Sequence, residues 1–308
     1  MIVSASRRTD IPAFFLPWML ERLRQGYALV RNPHNPRQIS RVVLSPEETD
    51  CLVFWTKDGS GLLAHLDELE SFGIPFYVQW TLNGYGPDLE PGVPEKRLLI
   101  DTFQKLGARL GARRLVWRYD PVLLYGPYTA GWHLQIFDRY CRLFSGATDT
   151  CIFSFVDLYA KTRRALPALR AVSPDDMAHL AAGFAQSAAA AGLSLRTCCE
   201  DGDFGRFGIG QAACIDRARI EDLAGHAIPA VRDGGQRPNC GCVRSVDIGA
   251  YGTCTHGCAY CYAAERRNPL SENRSDSPLL LGDIGPDDRV PPDPGRQMTL
   301  FETVGFEE

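Results

Sequence analysis

Three cysteines near the end of the chain have a spacing that suits a metal cluster. Cys254, Cys258 and Cys261 form a C-x3-C-x2-C array within residues 246–263. Three thiolates can bind three irons of a 4Fe–4S cluster, which leaves the fourth iron open for a small molecule. A structural zinc site normally needs a fourth protein ligand. The array therefore predicts an iron–sulfur cluster, with a zinc knuckle or a group of reduced cysteines as the alternatives.

A second group of cysteines precedes this array, in the loop-rich segment 198–245. The candidate metal ligands are Cys199, Cys214, Cys240 and Cys242, and Cys198 is an alternative to Cys199. Four thiolates can hold an auxiliary Fe–S cluster or a structural zinc, and free cysteines packed as small hydrophobes are the third interpretation. The chain has 11 cysteines, and such enrichment in a reducing compartment indicates metal or redox chemistry rather than disulfides.

The overall composition is that of a soluble globular protein. The 308 residues are 45% hydrophobic and 23% charged, and the net charge is −4, which argues against a general nucleic-acid binder. No apolar run reaches the ~18 residues that cross a membrane, and the start MIVSASRRTD lacks the apolar core of a signal peptide. We therefore expect a cytoplasmic protein without a membrane segment. The composition indicates no oligomeric state.

Strand and helix patterns alternate from residue 1 to about residue 197. Such alternation predicts an α/β fold with parallel strands, here a complete or partial βα barrel with functional groups at the carboxyl ends of its strands. The predicted divisions are βα units at 1–197, a cysteine-rich segment at 198–245, a final strand with the cluster loop at 246–265, and an extended tail at 266–308. The tail is rich in Pro, Asp, Gly and Ser and is expected to bury little.

Polar residues follow several of the predicted strands. Arg8, Thr9 and Asp10 come after the first strand, Lys57 follows the strand at 51–56, and Arg118 lies near the end of the strand beginning at residue 115. Similar groups occur at residues 79–81, 120 and 154–159. Each has an ordinary structural alternative: Arg8 and Lys57 could be solvated surface groups, and Asp10 is expected to cap the following helix. Because the endings recur in register, the set predicts a site.

The wording of the cysteine motif, YGTCTHGCAYCYA, adds a family resemblance. With Tyr260 before its last cysteine, it resembles the radical S-adenosylmethionine (SAM) superfamily and is most similar to the spore photoproduct lyase-like branch. The resemblance implies that the open iron of a 4Fe–4S cluster chelates the amino and carboxylate groups of SAM. It also implies one-electron cleavage to a 5′-deoxyadenosyl radical, and an electron donor such as flavodoxin or ferredoxin.

Other segments extend this resemblance along the chain. SASRRTDIP, VFWTK, LEPGVPEKRL and LVWRYDPVLL follow the order of the second to fifth barrel strands in that branch, and residues 1–265 also resemble the uncharacterised "domain of unknown function 1848". The cysteine motif usually lies near the N-terminus, so its place here predicts a circularly permuted radical SAM barrel. In that barrel residues 246–251 would pair with residues 2–6.

The permuted barrel brings further expectations for individual residues. The loop containing Arg8, Thr9 and Asp10 would lie beside the cluster and meet the methionine part of SAM, with Lys57 also at the cofactor. Arg8 or Arg118 would pair with the SAM carboxylate, because a guanidinium fits a carboxylate in bidentate fashion. Asp10 would accept from the SAM amino group.

These patterns favour an enzyme that starts radical chemistry on an unidentified substrate, with repair or modification of DNA as one subclass. The alternative is a zinc-stapled barrel that acts as a nucleic-acid or protein binding module. The peptide QMTLF, from Gln297 to Phe301, resembles the segment by which bacterial DNA-processing proteins dock on the sliding clamp. A terminal strand or packing tail is the alternative for that peptide.

Overall fold

Eight strands form one sheet in which every pairing is parallel, in a computed structural model that describes residues 1–237, 239–263 and 274–291. The strands of this sheet are β1 (Ile2–Ala5), β4 (Cys51–Thr56), β5 (Phe76–Thr81), β6 (Leu115–Val122), β7 (Thr150–Phe155), β8 (Ser194–Thr197), β9 (Gly210–Gln211) and β10 (Val246–Asp247). Their spatial order is β10-β1-β4-β5-β6-β7-β8-β9. A separate antiparallel hairpin consists of β2 (Tyr27–Arg31) and β3 (Ile39–Val43).

The helices follow the strands, as the alternating pattern predicts. They are α1 (Ile11–Phe14), α2 (Leu16–Gln25), α3 (Ser60–Ala64), α4 (Leu66–Ser71), α5 (Lys96–Leu110), α6 (Ala130–Phe144), α7 (Ala160–Ala165), α8 (Pro174–Ala190) and α9 (Arg217–Ala224). The helical segments at residues 11–25 and 60–71 are each divided into two helices. In the first, Pro17 lacks the backbone N–H that would continue the ladder, and a new helix begins at Leu16.

The sheet is covered on both faces, which accounts for the nearly continuous apolar runs of its strands. One face packs on helices through residues such as Phe54 and Trp117. Residues of the other face, including Val53 and Tyr77, share a core with Ile215 of the segment 198–245. That segment, which the sequence marks as loop-rich and without an obvious core, therefore buries its apolar side chains against the sheet.

The final strand lies beside the first, as the permutation hypothesis predicts. Val246 pairs with Val3 and Asp247 with Ser4, and Ile248 N–H donates to Ser4 O at 3.0 Å. The two edge strands of the sheet are β10 and β9. No pairing between these edges closes the sheet in the described part of the chain. The described residues therefore form an α/β fold with an open parallel sheet.

Part of the predicted tail packs against the body of the protein. Leu279 is 2% exposed, and the backbone of Leu29 donates to Pro278 O at 2.9 Å. The Trp18 indole N–H donates to the carbonyl oxygens of Ser277 (2.9 Å) and Leu279 (3.1 Å). Residues 274–291 thus bury more than their composition suggests, because the apolar run at residues 279–281 interrupts the polar sequence. The docking peptide from Gln297 to Phe301 lies outside the described residues.

Among the helices that the structure describes, none has both the length and the apolar character needed to cross a bilayer.

Candidate functional site

A cavity of about 330 Å³ opens at the carboxyl ends of β1, β4, β6 and β7. Its size falls in the usual range of small-molecule sites, roughly 300–1,000 Å³. The candidate residues that line it are Arg8, Thr9, Asp10, Lys57, Arg118, Cys199, Cys214, Cys240, Cys242, Cys254, Cys258, Tyr260 and Cys261. The fold thus brings both cysteine groups and the polar strand ends to one place. Of the strand-end groups, Gln79 and Trp80 do not line the cavity.

Asp247 fastens the last strand to the first. Its carboxylate accepts hydrogen bonds from the Ser4 hydroxyl (3.0 Å), the Ser6 hydroxyl (2.6 Å) and the Arg7 backbone N–H (2.8 Å). Gly249, two residues further along the chain, packs against Ser6: a Cβ at this position would lie 2.1 Å from the Ser6 hydroxyl oxygen. The short strand that leads into the cysteine loop is therefore held in place by the Asp247 carboxylate and by the packing of the Gly249 backbone against Ser6.

Replacing Asp247 with alanine should release this strand. Hydrogen bonds to a charged group contribute about 1.5–3 kcal/mol each, so we expect a loss of roughly 2–4 kcal/mol in the free energy of unfolding once local relaxation is allowed for. Urea titration measures that loss, and hydrogen exchange at the Ile248 amide reports the local opening. Asp101→Ala, which removes an exposed carboxylate on α5, is the control. Equal unfolding midpoints for the two variants would contradict the role of Asp247.

The segment 89–92 forms backbone hydrogen bonds with the cysteine loop. Gly92 N–H donates to His256 O at 2.8 Å, and Ala259 N–H donates to Leu89 O at 2.9 Å. A Cβ on Gly92 would lie 2.7 Å from Thr255 O, so this contact needs a glycine. The LEPG stretch therefore positions the loop that carries the three cysteines, in addition to preceding α5.

Asp10 connects three elements around the cavity. One carboxylate oxygen caps α1 by accepting from Ala13 N–H at 3.0 Å, which confirms the predicted capping role. The other accepts from Lys57 N–H at 2.7 Å and lies 2.8 Å from His256 Nε2. His256 is 2% exposed, and its Nδ1 lies 3.1 Å from Gly92 O. Both oxygens of Asp10 thus have protein partners, so the structure accounts for Asp10 as a residue that positions the loop.

Lys57 belongs to a buried ion network with Glu90, Lys96 and Tyr260. Its ammonium lies 2.8 Å from Glu90 Oε1 and 2.9 Å from the Tyr260 hydroxyl, while Lys96 and the Tyr260 hydroxyl also donate to Glu90. Burial alone would lower the pKa of Lys57, but the Glu90 carboxylate together with Cys258 and Asp120 outweighs burial, and the net shift of the pKa is upward. Burial raises the pKa of Cys258 to about 11, and the nearby Lys57 opposes that rise. The network places positive charge beside Cys258.

Arg118 is directed at the second cysteine group. Its guanidinium donates to Cys214 Sγ at 2.9 Å and to the Asp120 carboxylate, and it lies over the Trp55 ring, 5.3 Å from the ring centroid. Burial opposes the charge of Arg118, yet Cys214 and Asp120 hold its pKa well above the ordinary value. Arg118 therefore has internal partners for its charge.

The side chains of Arg8 and Thr9 interact less strongly with the rest of the protein than those of Asp10, Lys57 and Arg118 do. The Arg8 guanidinium lies 3.9 Å from Asp247 and 5.4 Å from the centroid of the Tyr251 ring, and the side chain is 23% exposed. The Thr9 hydroxyl is buried without a hydrogen-bond partner in the structure. A buried hydroxyl left without a partner costs free energy. Thr9 and Arg8 are thus available to a polar ligand in this cavity.

Several residues of the site carry no clear signal in the sequence. Glu90 and Asp247 are single carboxylates in ordinary surroundings, and His256 lies inside the cysteine motif without standing out as a separate residue. Glu90 is also distant from its partner Tyr260 in the chain. The sequence indicates His256 and Glu90 only through their places within the stretches YGTCTHGC and LEPGVP, which do not mark either residue individually.

The thiols of the cysteine loop suit a cluster rather than a single metal ion. No group of three or more histidine, cysteine or carboxylate side chains in residues 1–237, 239–263 and 274–291 has the geometry of a single-ion site. A 4Fe–4S cluster sets a different requirement, because each thiolate binds a different iron and the sulfurs need not converge on one point. Cys254, Cys258 and Cys261 on one short loop, facing the cavity, fit that requirement in donor type and placement.

The chain matches a known protein family over most of its length. A family model described as "Domain of unknown function (DUF1848)" matches residues 2–263. The chain belongs to this family. The DUF1848 match extends from β1 to just beyond Cys261, so it includes the sheet, the cavity and both cysteine groups. No curated protein matches the chain.

Proposed function

We propose that this DUF1848 protein is a radical SAM enzyme. The observation that carries the proposal is the position of Cys254, Cys258 and Cys261, on a loop that leaves a strand of the parallel sheet and faces a cavity at the carboxyl ends of the strands. When bound there, a 4Fe–4S cluster would supply the electron for reductive cleavage of SAM to a 5′-deoxyadenosyl radical. The cavity has the size of a small-cofactor site.

The residues of the chain have separate tasks in this proposal. Cys254, Cys258 and Cys261 would hold the cluster. Asp10 and the Glu90 network keep the loop in place, and burial of Tyr260 at 8% exposure helps to exclude water beside Cys258. Arg8 would bind the SAM carboxylate, because a guanidinium matches a carboxylate and Arg118 already pairs with Asp120. Thr9 would supply a hydroxyl to the same ligand.

The same proposal includes a permuted and partial barrel. The parallel pairing of β10 with β1 supports it, because the last strand in the sequence lies in the place next to the first. The polar groups also collect at the carboxyl ends of strands, where barrel enzymes place their sites. In this arrangement the loop after β1 would meet the cofactor.

Product analysis tests the proposal directly. The protein, reconstituted anaerobically with iron and sulfide and reduced with dithionite, should convert SAM to 5′-deoxyadenosine, which chromatography with mass detection quantifies. The protein should also contain iron and acid-labile sulfide. A preparation that contains zinc alone and leaves SAM intact would instead support the alternative of a zinc-stapled binding module and would remove the enzyme proposal.

A further inference from the structure

The second cysteine group is a ring of five thiols. Cys198 contacts Cys199 and Cys214, and the Sγ atoms of Cys198 and Cys214 are 3.4 Å apart. Cys199 lies near Cys240, Cys240 near Cys242, and Cys242 near Cys214, close enough for each thiol to alter the pKa of its neighbour, and these pairs complete the ring. All five side chains line the cavity that the first three cysteines also line. We call this set the thiol ring.

We propose that the thiol ring holds a second iron–sulfur cluster of the 4Fe–4S class, facing the first cysteine group across one cavity. Five thiols exceed the four that such a cluster takes from a protein. The ring residues come from three separate positions, at 198–199, 214 and 240–242, which the fold brings together. This inference concerns metal content and does not depend on whether the protein cleaves SAM.

Two of the sulfurs already accept hydrogen bonds from N–H groups. Arg118 donates to Cys214 Sγ at 2.9 Å, and Ile215 N–H donates to Cys242 Sγ at 3.3 Å. Hydrogen bonds to sulfur are among the features by which proteins adjust Fe–S clusters. Arg118 is 5% exposed, so its positive charge lies buried beside the ring. A cluster bound by thiolates carries negative charge, which this arginine would offset.

Two observations favour a cluster over a single zinc. No three histidine, cysteine or carboxylate side chains in the described residues have the geometry of a single-ion site. Tetrahedral zinc needs four sulfurs, each about 2.3 Å from one point. The segment 198–245 also shares a hydrophobic core with the sheet through Ile215, Ile220 and Val243. The segment therefore does not depend on a structural zinc ion for its folding.

Iron and sulfide analysis of cysteine variants tests this second site. The fully reconstituted protein should contain roughly eight irons, four for each cluster. The Cys254→Ala, Cys258→Ala, Cys261→Ala triple variant should keep about half of that iron, with the absorption and reduced-state EPR signal of a 4Fe–4S cluster. Cys214→Ser, Cys240→Ser and Cys242→Ser made together, which leaves two thiols in the ring, should lose the other half. Cys141→Ala, which removes a buried thiol on α6 away from the cavity, is the matched control and should keep it all.

The triple variant decides the matter without any change in the ring. If it carries no iron, or zinc in its place, the second cluster is ruled out. Should the triple variant fail to fold, the parent protein gives the answer, because an iron content near four overturns the proposal. Reduced parent protein with both clusters should also show magnetic interaction between them in EPR, since the two groups line one cavity. Loss of SAM cleavage together with retained iron in the triple variant separates this inference from the proposed function.

Discussion

Replacing any one of Cys254, Cys258 and Cys261 with alanine should reduce formation of 5′-deoxyadenosine from SAM to the level of a sample without protein. The reason is the ligand count: three thiolates are the fewest that can hold a cluster with one open iron. Removal of one leaves two, and the chain offers no other cysteine on that loop. The measurement is the initial rate of product formation in anaerobic, dithionite-reduced protein.

The control variant is Cys141→Ala. Cys141 is fully buried on α6 and does not line the cavity, so its loss should cost stability while SAM cleavage continues. Circular dichroism and a thermal melt establish that each variant is folded. Turnover at the parental rate by a folded cysteine variant would disprove that this loop holds the cofactor.

The local structure of the sheet could be predicted from the sequence with good agreement. The apolar run at residues 51–56 appears as a strand with those bounds, and the run at residues 150–156 appears as a strand that ends one residue earlier, at Phe155. Their β-branched and aromatic residues suit a sheet that is buried on both faces. The pairing of the last strand with the first was also predictable, because the permutation hypothesis demanded it. The closed form of the expected barrel is not seen in the described residues, whose sheet has short edge strands such as Gly210–Gln211.

The contacts that position the site could not be predicted from the sequence. Asp247 reaches Ser4, and Glu90 reaches Tyr260, across most of the chain. Nothing local distinguishes such carboxylates from surface ones, because their burial arises only when distant strands meet. The cysteine-rich segment shows the same limit. Its composition of glycines and turn residues indicates loops, whereas Ile215 and its neighbours find their core on the sheet.

The set of cysteines that form the thiol ring is a third feature that could not be predicted from the sequence. The sequence offered Cys199 or Cys198 as alternatives, and the structure places both in one ring. Cys199 has a φ of 58°, in the left-handed region. Adjacent residues of an extended strand would point to opposite sides, and this turn in the backbone lets both thiols face the cavity.

Replacing Glu90 with glutamine should lower the free energy of unfolding at pH 7 by about 3–5 kcal/mol, the usual effect of breaking a buried ion pair. Glu90 is 2% exposed and accepts from Lys57 and Lys96. Its loss would leave the ammonium of Lys57, which is 15% exposed, without its carboxylate. Urea titration of the two proteins at neutral pH measures the difference. Adding Lys57→Met to the Glu90→Gln variant should recover part of the loss, because the unpaired charge is then removed.

The same carboxylate should make the stability of the parent protein depend on acid. Burial alone would raise the pKa of Glu90, but Lys57 and Lys96 outweigh it and lower the pKa to about 2. The unfolded chain has the ordinary value of about 4.3. A depressed pKa contributes stability above about pH 4.3, and this contribution falls away as the pH approaches 2. The difference of roughly 2 pKa units corresponds to about 3 kcal/mol.

Glu90→Gln should therefore lose less stability than the parent protein between pH 5 and about pH 2, since glutamine does not titrate. Glu70→Gln serves as the control, because Glu70 pairs with Arg114 at the surface with 41% of its side chain exposed. An exposed pair contributes at most about 1 kcal/mol, so that variant should follow the parental curve. Parallel acid curves for the parent protein and Glu90→Gln would show that Glu90 has the same pKa in the folded and the unfolded chain. Lys57 and Lys96 would then not stabilise the Glu90 carboxylate, and the electrostatic account of the cysteine loop would have to be abandoned.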